Sequence, residues 1–324
     1  MHSLESIQQR ISTAFSSAQF LNEPVKLYEP ITYTLGQGGK RIRPVLVLLA
    51  CDLFGGDPEK AVFPAMGLEI FHNFTLLHDD IMDNAPLRRG QETVHKKWND
   101  NTAILSGDTM FVLAYEYVAK TDPALLPEVL RLFNDTARKV CEGQQYDMNF
   151  ETQSNVTIEK YMMMIRLKTA VLIACSLKLG AIIALADPAE AENIYHFGME
   201  LGLAFQLQDD YLDAFGDTTV FGKEIGGDII TNKKTFLFLK AFEVARADDL
   251  IHLTHFFYSP EIPVSEKIGE VTRLYRKLNI DEYTRQEIEQ HFQEATKILD
   301  ALNVTEKLKE ELRGLALGMV GRNK

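Results

Sequence analysis

Residues 66–83, MGLEIFHNFTLLHDDIMD, carry the most informative pattern in the sequence: an apolar run compatible with a helix ends in the acidic motif DDIMD at 79–83. A second copy, DDYLD at 209–213, follows about 130 residues later. Because a helix turns about 100° per residue, the first and fifth positions of each motif point nearly the same way, one turn apart. Two such clusters of carboxylates, facing each other inside a helical bundle, would provide the hard oxygen ligands that suit Mg²⁺.

The residues before each motif are apolar, which bears on whether the aspartates are solvated or bound. Ile70 and Phe71 precede the first motif, and Leu201 and Leu203 precede the second. A carboxylate pair inside such a helix has to be paired, bound to metal or neutralised, because an isolated buried charge is costly. The sequence therefore favours a metal site over two solvated acidic faces.

Helical periodicity recurs along the chain, and no convincing run of alternating strand residues stands out. Helices with broad apolar faces must bury those faces against one another, so we predict an all-α protein. No linker or shift in composition marks a boundary, so we expect one domain, residues 1–324, as a single large bundle with a central cavity between the helices that carry the acidic motifs. The predicted helices span about residues 4–15, 45–54, 66–83, 102–120, 125–142, 158–185, 189–215, 234–247, 264–278 and 284–302, with a short segment from 305.

The composition limits the classes of function. The chain has 324 residues and a formal net charge of −12, which argues against nucleic acid as a partner and requires local cations or metal to attract an anionic substrate. Its three cysteines, Cys51, Cys141 and Cys175, are widely spaced and fit reduced thiols in a cytoplasmic protein. The longest apolar run, 45–51, is far too short to cross a bilayer, so we predict no transmembrane segment.

Three groups of cations supply what the net charge lacks. GGKRIRP at 38–44 sets bases beside a glycine pair; arginine forks match phosphate oxygens, although a turn with solvated bases is the alternative. Arg88 and Arg89 closely follow the first acidic motif. Carboxylates and arginines on one short segment indicate that a polyanionic ligand binds there, with metal bridging it to the carboxylates. The Gly- and Lys-rich stretch 221–235 follows the second motif and lacks the βαβ pattern of a dinucleotide site, so we interpret it as a lid that brings lysines to a phosphate.

Taken in order, these motifs resemble those of the trans-isoprenyl diphosphate synthases, the polyprenyl synthetase family that includes farnesyl and geranylgeranyl diphosphate synthases. The resemblance covers nearly the whole chain. The matching motifs are GGKRIRP at 38–44, His72 to Asp83, LRRG at 87–90, Gly143-Gln144, Lys168-Thr169, FQLQDDYLD at 205–213 and the stretch from Gly222-Lys223 to Lys233. One departure is Gly227, where members of the family often have a second lysine.

The resemblance implies an isoprenoid synthase fold and a Mg²⁺-dependent head-to-tail transfer between isopentenyl diphosphate and dimethylallyl, geranyl or farnesyl diphosphate. Three Mg²⁺ ions with diphosphate bound are part of this expectation. Ionisation of the allylic carbon–oxygen bond needs the charge on the departing diphosphate to be stabilised where it develops. The implied metal ligands are Asp79, Asp83 and Asp209, supported directly or through water by Asp80, Asp210 and Asp213.

The other implied roles concern the two diphosphates and the allylic cation. The residues expected to hold the allylic diphosphate are Arg88, Lys168, Lys223 and Lys233. Those expected to hold isopentenyl diphosphate without metal are Lys40, Arg43, His72 and Arg89. Thr169 and Gln206, with Lys168, are expected near the allylic cation, and the released diphosphate can take the proton.

Several of these residues also have a plainer interpretation. His72 lies seven residues before Asp79 and so on nearly the same helical face, which favours a ligand over a core histidine. Gln206 could be a core amide and Lys168 a solvated helix lysine, and only the neighbouring motifs and the resemblance favour a role in the site. The direction of Arg41 stays open.

The residues before the first motif bear on product length. In the resembling enzymes the fourth and fifth residues before the motif form the floor of the hydrocarbon channel, and here these are Thr75 and Phe74. Phe74 argues against very long chains, and the lack of a second aromatic residue at 75 argues against the usual farnesyl pattern. We predict geranylgeranyl diphosphate, with farnesyl diphosphate second. On an ideal helix Phe74 lies about 140° from Asp79, so another helix is expected to share the floor.

Two other functions were weighed against the synthase. A class I terpene cyclase also uses an aspartate-rich motif, but it needs an Asn/Asp-Ser/Thr-Glu metal triad in place of the second DDxxD and no isopentenyl site. A catalytically silent subunit of a heteromeric synthase would have damaged aspartates, and none is damaged here. The resemblance also implies a homodimer.

Overall fold

The computed structural model describes residues 2–216, 226–259 and 261–321, which are mostly helical. The helices in the first half of the chain are α1 Leu4–Ser17, α2 Val25–Gly36, α3 Ile42–Leu53, α4 Pro58–Met82, α5 Val94–Lys97, α6 Asp100–Val118 and α7 Leu126–Thr152. Those in the second half are α8 Ile158–Ile165, α9 Val171–Ile183, α10 Pro188–Phe215, α11 Gly227–Ile230, α12 Phe236–Val244, α13 Ala247–Tyr258, α14 Val264–Lys277, α15 Ile280–Ala301 and α16 Glu306–Val320. A π-helical turn, Arg166–Ala170, joins α8 to α9, and β1 Leu87–Arg88 pairs antiparallel with β2 Gln91–Glu92.

The described residues fall into two compact units. Unit 1 takes in those of 1–134, 175–194 and 303–312, and unit 2 takes in those of 135–174, 195–302 and 313–324. The first acidic motif belongs to unit 1, and the second belongs to unit 2. The expectations of one domain and of a cavity between the two motifs stay predictions.

Helix α4 carries the first motif and is the central helix of unit 1. It begins where the Asp57 carboxylate accepts a hydrogen bond from the Glu59 amide at 3.0 Å, with Pro58 in the first turn. It packs on α3 and α6 and buries Ile70 and Phe71 completely. Burial of each such side chain contributes about 1.5–3 kcal/mol, so the apolar run fixes which way the polar residues of α4 point.

Helix α10 carries the second motif, and its last turns belong to unit 2. Leu201, Leu203 and Leu207 are fully buried there. In the same unit α8 packs on α12, α11 packs on α14, and α12 packs on α15. The segment 158–183 is one helix interrupted by the π-helical turn, which contains Lys168 and Thr169.

The all-α prediction is confirmed, and the described helices also correct several details. Helix α2, helix α13 and the short hairpin were not predicted, and α4 begins at Pro58 rather than near residue 66. Pro30 inside α2 and Pro64 inside α4 explain part of this error, because proline normally ends a helix. Among the helices described, none has the length and apolar character needed to cross a membrane.

Candidate active site

The aspartates of the first motif differ in exposure and in partners. Asp83 is exposed and Asp79 is half-buried, whereas Asp80 is buried. The Arg88 guanidinium donates through Nε to Asp80 Oδ1 at 2.7 Å, and Arg88 Nη2 lies 2.7 Å from the same oxygen. Burial raises the pKa of Asp80, and the hydrogen bond and charge of Arg88 oppose that rise. Asp80 therefore positions an arginine, while Asp79 and Asp83 are accessible to solvent.

The hairpin points the side chains of Arg88 and Arg89 toward different partners. Arg89 and Gly90 form its two-residue turn with positive φ values of 53° and 75°, which a tight antiparallel turn of this type requires. Arg88 on the strand reaches Asp80, and Arg89 Nη1 donates to the Gly38 carbonyl. The hairpin thus brings Arg89 to the glycine pair of the GGKRIRP segment.

Arg43 and His72 form the centre of the predicted isopentenyl diphosphate site in unit 1. Arg43 Nη1 lies 3.0 Å from His72 Nε2. Since a guanidinium can only donate, Nε2 accepts and the imidazole carries its proton on Nδ1. Burial and the positive charges of Arg43, Arg89 and Arg88 hold the pKa of His72 well below its usual value. His72 is thus a neutral imidazole with an N–H donor beside an arginine.

The remaining cations of the GGKRIRP segment point in different directions. Lys40 is exposed. Arg41 has a positive φ of 44°, and its guanidinium lies 4.4 Å from the centre of the Phe15 ring. The open question about Arg41 is settled in favour of a contact with α1.

Glu69 is a buried carboxylate that the sequence reasoning missed, and it lies on the same face of α4 as His72. Glu69 is 3% exposed, its Oε1 accepts from Asn73 Nδ2 at 3.3 Å, and its Oε2 has no hydrogen-bond partner within the described chain. Burial raises the pKa of Glu69, and Arg43 and Arg89 oppose that rise. Its position three residues before His72 was the only signal in the sequence.

Phe74 and Thr75, the predicted floor residues, have different surroundings. The Phe74 ring centre lies 5.2 Å from that of Phe111 on α6 and 4.7 Å from that of His78. Thr75 donates its hydroxyl to the His72 carbonyl at 2.8 Å. Phe74 thus belongs to an aromatic cluster shared by α4 and α6, and Thr75 is tied to its own helix.

The second motif, in unit 2, is held by a chain of hydrogen bonds. The Tyr161 hydroxyl on α8 donates to Asp210 Oδ2, and Gln206 Nε2 donates to Asp210 Oδ1 at 2.9 Å. Thr169 in the π-helical turn donates to Gln206 Oε1 at 2.8 Å. Burial raises the pKa of Asp210 to about 6, and the hydrogen bonds from Tyr161 and Gln206 and the charge of Lys233 oppose that rise. Asp209, next along the helix, is exposed.

Asp147 on α7 brings two of the predicted lysines together. Its Oδ2 accepts from Lys168 Nζ at 2.7 Å and lies 3.7 Å from Lys233 Nζ. Burial alone would raise the pKa of Asp147, but the charges of Lys233 and Lys168 hold it below its usual value. Lys223, the remaining lysine predicted for the allylic diphosphate, lies outside the described residues.

Asp213 organises the start of α11. Its backbone carbonyl accepts from the Gly226 amide at 2.7 Å, and its Oδ2 accepts from the Asp228 amide at 2.9 Å. Burial raises the pKa of Asp228 to about 8, with the charge of Lys233 opposing the rise and Asp210 and Asp213 adding to it. Asp228 is a further carboxylate of this cluster that the sequence reasoning quoted but gave no role.

The carboxylate oxygens of both motifs are suitable ligands for Mg²⁺ ions that also bind the oxygens of a diphosphate. Within the described part of the chain, no three His, Cys, Asp or Glu side chains converge as a ready-made metal cage. Mg²⁺ usually takes one or two carboxylates and fills its octahedron with water and substrate phosphate oxygens. Solvent-accessible Asp79, Asp83 and Asp209 fit that mode of binding, whereas Asp80 accepts a hydrogen bond from Arg88 and Asp210 accepts one from Tyr161.

Known proteins are similar to this chain in sequence and in fold. The family model for polyprenyl synthetase matches residues 24–270. A short chain isoprenyl diphosphate synthase of Methanothermobacter thermautotrophicus is 38% identical over 280 residues, 86% of this chain and 85% of that protein. The crystal structure of a geranylgeranyl pyrophosphate synthase, 43% identical, matches over 100% of both chains with a TM-score of 0.95. A geranylgeranyl pyrophosphate synthase of Corynebacterium glutamicum, solved with isoprenyl diphosphate and magnesium, matches over 98% of both chains with 27% identity and a TM-score of 0.87.

The fold is therefore that of the all-α isoprenoid synthases. The chain belongs to the polyprenyl synthetase family, and its activity is that of a trans-prenyltransferase. The resemblance drawn from the motifs is confirmed.

Proposed function

We propose that the chain condenses isopentenyl diphosphate with an allylic diphosphate and releases mainly geranylgeranyl diphosphate, with farnesyl diphosphate as the second product. The observation that carries this proposal is the pairing of Arg43 with His72, beside the segment that Arg89 contacts. That arrangement gathers cations next to the buried carboxylate of Glu69, which suits a second diphosphate that must be positioned but not ionised. The choice of product rests on the similarity to geranylgeranyl diphosphate synthases and on Phe74.

The allylic diphosphate is proposed to bind with metal. The chemistry that Mg²⁺ supplies when bound is neutralisation of the charge that develops on the leaving diphosphate. Asp79, Asp83 and Asp209 would hold these ions, three in number, and Asp213 would assist. The residues proposed to contact the allylic diphosphate directly are Arg88, Lys168, Lys223 and Lys233.

Lys168 and Lys233 both contact the carboxylate of Asp147, and a bound diphosphate can replace this carboxylate or bind beside it. Asp147 holds Lys168 and Lys233 within reach of one another. Two ammonium groups kept together bind a diphosphate without first being gathered, which reduces the entropic cost of binding. Thr169 and Gln206 are proposed to turn oxygen dipoles toward the allylic cation, and the released diphosphate takes the proton lost from the condensation product.

Incubation with Mg²⁺, isopentenyl diphosphate and either dimethylallyl or farnesyl diphosphate tests the proposed function. We expect an elongated diphosphate with twenty carbons as the main product, identified by mass spectrometry after dephosphorylation. Cyclised hydrocarbon would point to a terpene cyclase, and no turnover would point to a silent subunit. Either result would contradict the proposal.

We also propose that the chain is a homodimer and that it is cytoplasmic, as the resemblance and the spacing of its thiols predict. Sedimentation velocity at micromolar concentration measures the assembly state. A single monomeric species across that range would contradict the homodimer.

A further inference from the structure

The π-helical turn between α8 and α9 is an unusual element at a functional position. Its five residues, Arg166–Ala170, include Lys168 and Thr169, and the Val171 amide donates to the Arg166 carbonyl five residues earlier. Turns of this type are rare and usually occur as single insertions in α-helices, often at functional sites. A local conformation of this kind persists where surrounding contacts hold it in place.

A glycine of α7 lies directly against this turn. A methyl carbon at position 143 would lie 2.4 Å from the Lys168 amide nitrogen and 2.7 Å from its Cα. One helical turn later, Asp147 on the same face of α7 accepts the Lys168 ammonium at 2.7 Å. Gly143 thus sets how closely α7 approaches the Lys168 backbone, and Asp147 holds the end of the Lys168 side chain.

A glycine of α10 repeats this arrangement on the next residues of the turn. A methyl carbon at position 202 would lie 2.5 Å from the Ala170 Cα. Gln206, one helical turn after Gly202, accepts from Thr169 at 2.8 Å, and Asp210 follows one turn after Gln206 on the same face. In both helices a glycine contacts the backbone of the turn, and the residue four positions later binds a side chain of the turn.

We propose that Gly143 and Gly202 are positioning residues for prenyl transfer, because both pack against the backbone of the π-helical turn and fix its position. In that position Lys168 faces the allylic diphosphate and Thr169 faces the allylic cation. This inference rests on the proposed function. Both methyl positions lie closer to backbone atoms than carbon atoms ever approach, so an alanine at either site must move the turn. A misplacement of about 1 Å at a reacting centre costs on the order of 100-fold in rate.

The test compares Gly143→Ala and Gly202→Ala with Gly269→Ala and Gly314→Ala, two helical positions of unit 2 where an added methyl meets nothing within 4 Å. We expect kcat to fall about 100-fold in the first pair, with the KM for isopentenyl diphosphate nearly unchanged, and to stay at the wild-type value in the second pair. Circular dichroism and the unfolding midpoint show which variants are folded. Turnover by the wild type and by Gly269→Ala tests the proposed function separately. Full activity in a folded Gly143→Ala and Gly202→Ala overturns this inference alone.

A double-mutant cycle distinguishes positioning from general damage. If Gly143 acts through Lys168, adding Gly143→Ala to Lys168→Ala costs less than about fivefold, because the residue to be positioned is already gone. The same holds for Gly202→Ala in a Thr169→Ala background. Losses that multiply fully in both cycles would overturn the proposal.

Ala170→Gly keeps the proposal open to refutation if the alanine variants do not fold. This change removes the Ala170 methyl group that faces Gly202 and introduces no overlap, so it loosens the packing between α10 and the π-helical turn. We expect kcat to fall about tenfold. An unchanged kcat would contradict the proposal that Gly202 positions the π-helical turn.

Discussion

Asp210 is a buried carboxylate, and hydrogen bonds from neighbouring side chains fix both of its oxygens. Tyr161 and Gln206 each donate a hydrogen bond to one of its carboxylate oxygens, and Tyr161 is 1% exposed. A hydrogen bond to a charged group contributes about 1.5–3 kcal/mol when neither partner can be rehydrated. Tyr161 therefore holds the second acidic motif in its orientation although it does not belong to it.

Tyr161→Phe removes only the hydroxyl group. We expect the free energy of unfolding to fall by about 2 kcal/mol, and the Mg²⁺ concentration for half-maximal activity to rise, because Asp210 loses a donor that fixes its carboxylate. Urea denaturation and a Mg²⁺ titration measure these effects. Tyr283→Phe, at a residue 40% exposed, is the matched control and should change neither. Equal stability of wild type and Tyr161→Phe would show that the Tyr161 hydroxyl does not stabilise the fold through Asp210.

His291 predicts a pH dependence of stability. Its Nδ1 lies 2.6 Å from Glu200 Oε2, and its Nε2 lies 3.6 Å from Glu287 Oε1. Burial lowers the pKa of His291, but the hydrogen bond to Glu200 and the negative charges of Glu200 and Glu287 more than offset this effect and raise the pKa from 6.5 to about 9. A raised pKa in the folded state stabilises the fold fully below about pH 6.5, and this stabilisation is lost as the pH rises through about 9.

The measurement compares the unfolding free energy of wild type and His291→Gln from pH 6 to pH 10. We expect the wild type to be more stable by about 1–2 kcal/mol at pH 6, after allowance for solvent screening, and this difference to vanish above pH 9. His252→Gln, at an exposed position, serves as the control. A difference that is constant over the whole range would show that folding does not raise the pKa of His291.

At the residue scale, the sequence motifs predict candidate site residues but not the side chains that those residues contact. Asp80, Asp210, Arg43 and His72 were predicted for the site, and each lies in a contact consistent with it. Asp147 was missed because it lies 21 positions from Lys168 along the chain, and such a contact depends on packing that local patterns do not contain. Its three-residue distance from Gln144 in the Gly143-Gln144 motif was the available signal.

At the scale of elements, α4 combines the acidic motif with the proposed control of product length. Phe74 contacts Phe111 of α6, and we propose that these two rings share the floor of the hydrocarbon channel. Phe71 packs on both rings, with centres 5.6 and 6.0 Å away, so the cluster is supported from the buried face of α4. The position of Phe74 therefore depends on two helices.

Phe74→Ala opens this cluster, and we expect the main product to lengthen by one or more five-carbon units. Phe111→Ala is expected to act in the same direction, because it removes the support of the Phe74 ring. Mass spectrometry of the dephosphorylated products measures both. Phe63→Ala changes an exposed aromatic residue of the same helix and should leave the product unchanged. Unchanged product length in Phe74→Ala would remove this residue from chain-length control.

Element boundaries show where the sequence patterns stop being informative. Helices α10 and α14 were predicted to within two residues, since their apolar periodicity is uninterrupted. Helix α2 was missed because Pro24 and Pro30 resemble breaks, yet Pro24 lies at its cap and the helix accommodates Pro30. The π-helical turn was predicted as ordinary helix, because an i→i+5 bond leaves no mark in apolar periodicity and depends on contacts such as that of Gly143.

At the scale of the whole molecule, the net charge of −12 makes binding of a diphosphate dependent on metal and on a few cations. Each of the two acidic motifs is proposed to bind Mg²⁺ that is carried with a diphosphate. If so, the complex stabilises the folded chain by about 2.7 kcal/mol when the free ligand is at 100 times its dissociation constant.

Thermal unfolding with Mg²⁺ and a non-ionisable allylic diphosphate analogue tests this dependence. We expect the wild-type midpoint to rise by several degrees, with neither Mg²⁺ nor the analogue producing this rise alone, because the metal ions and the phosphate oxygens complete one another's coordination. Asp79→Asn and Asp209→Asn should each abolish most of the rise, whereas Asp108→Asn, an exposed carboxylate on α6, should retain it. If Asp209→Asn kept the full rise while Asp79→Asn lost it, the second motif would have no part in binding the metal and diphosphate, and the charge of unit 1 alone would have to account for it.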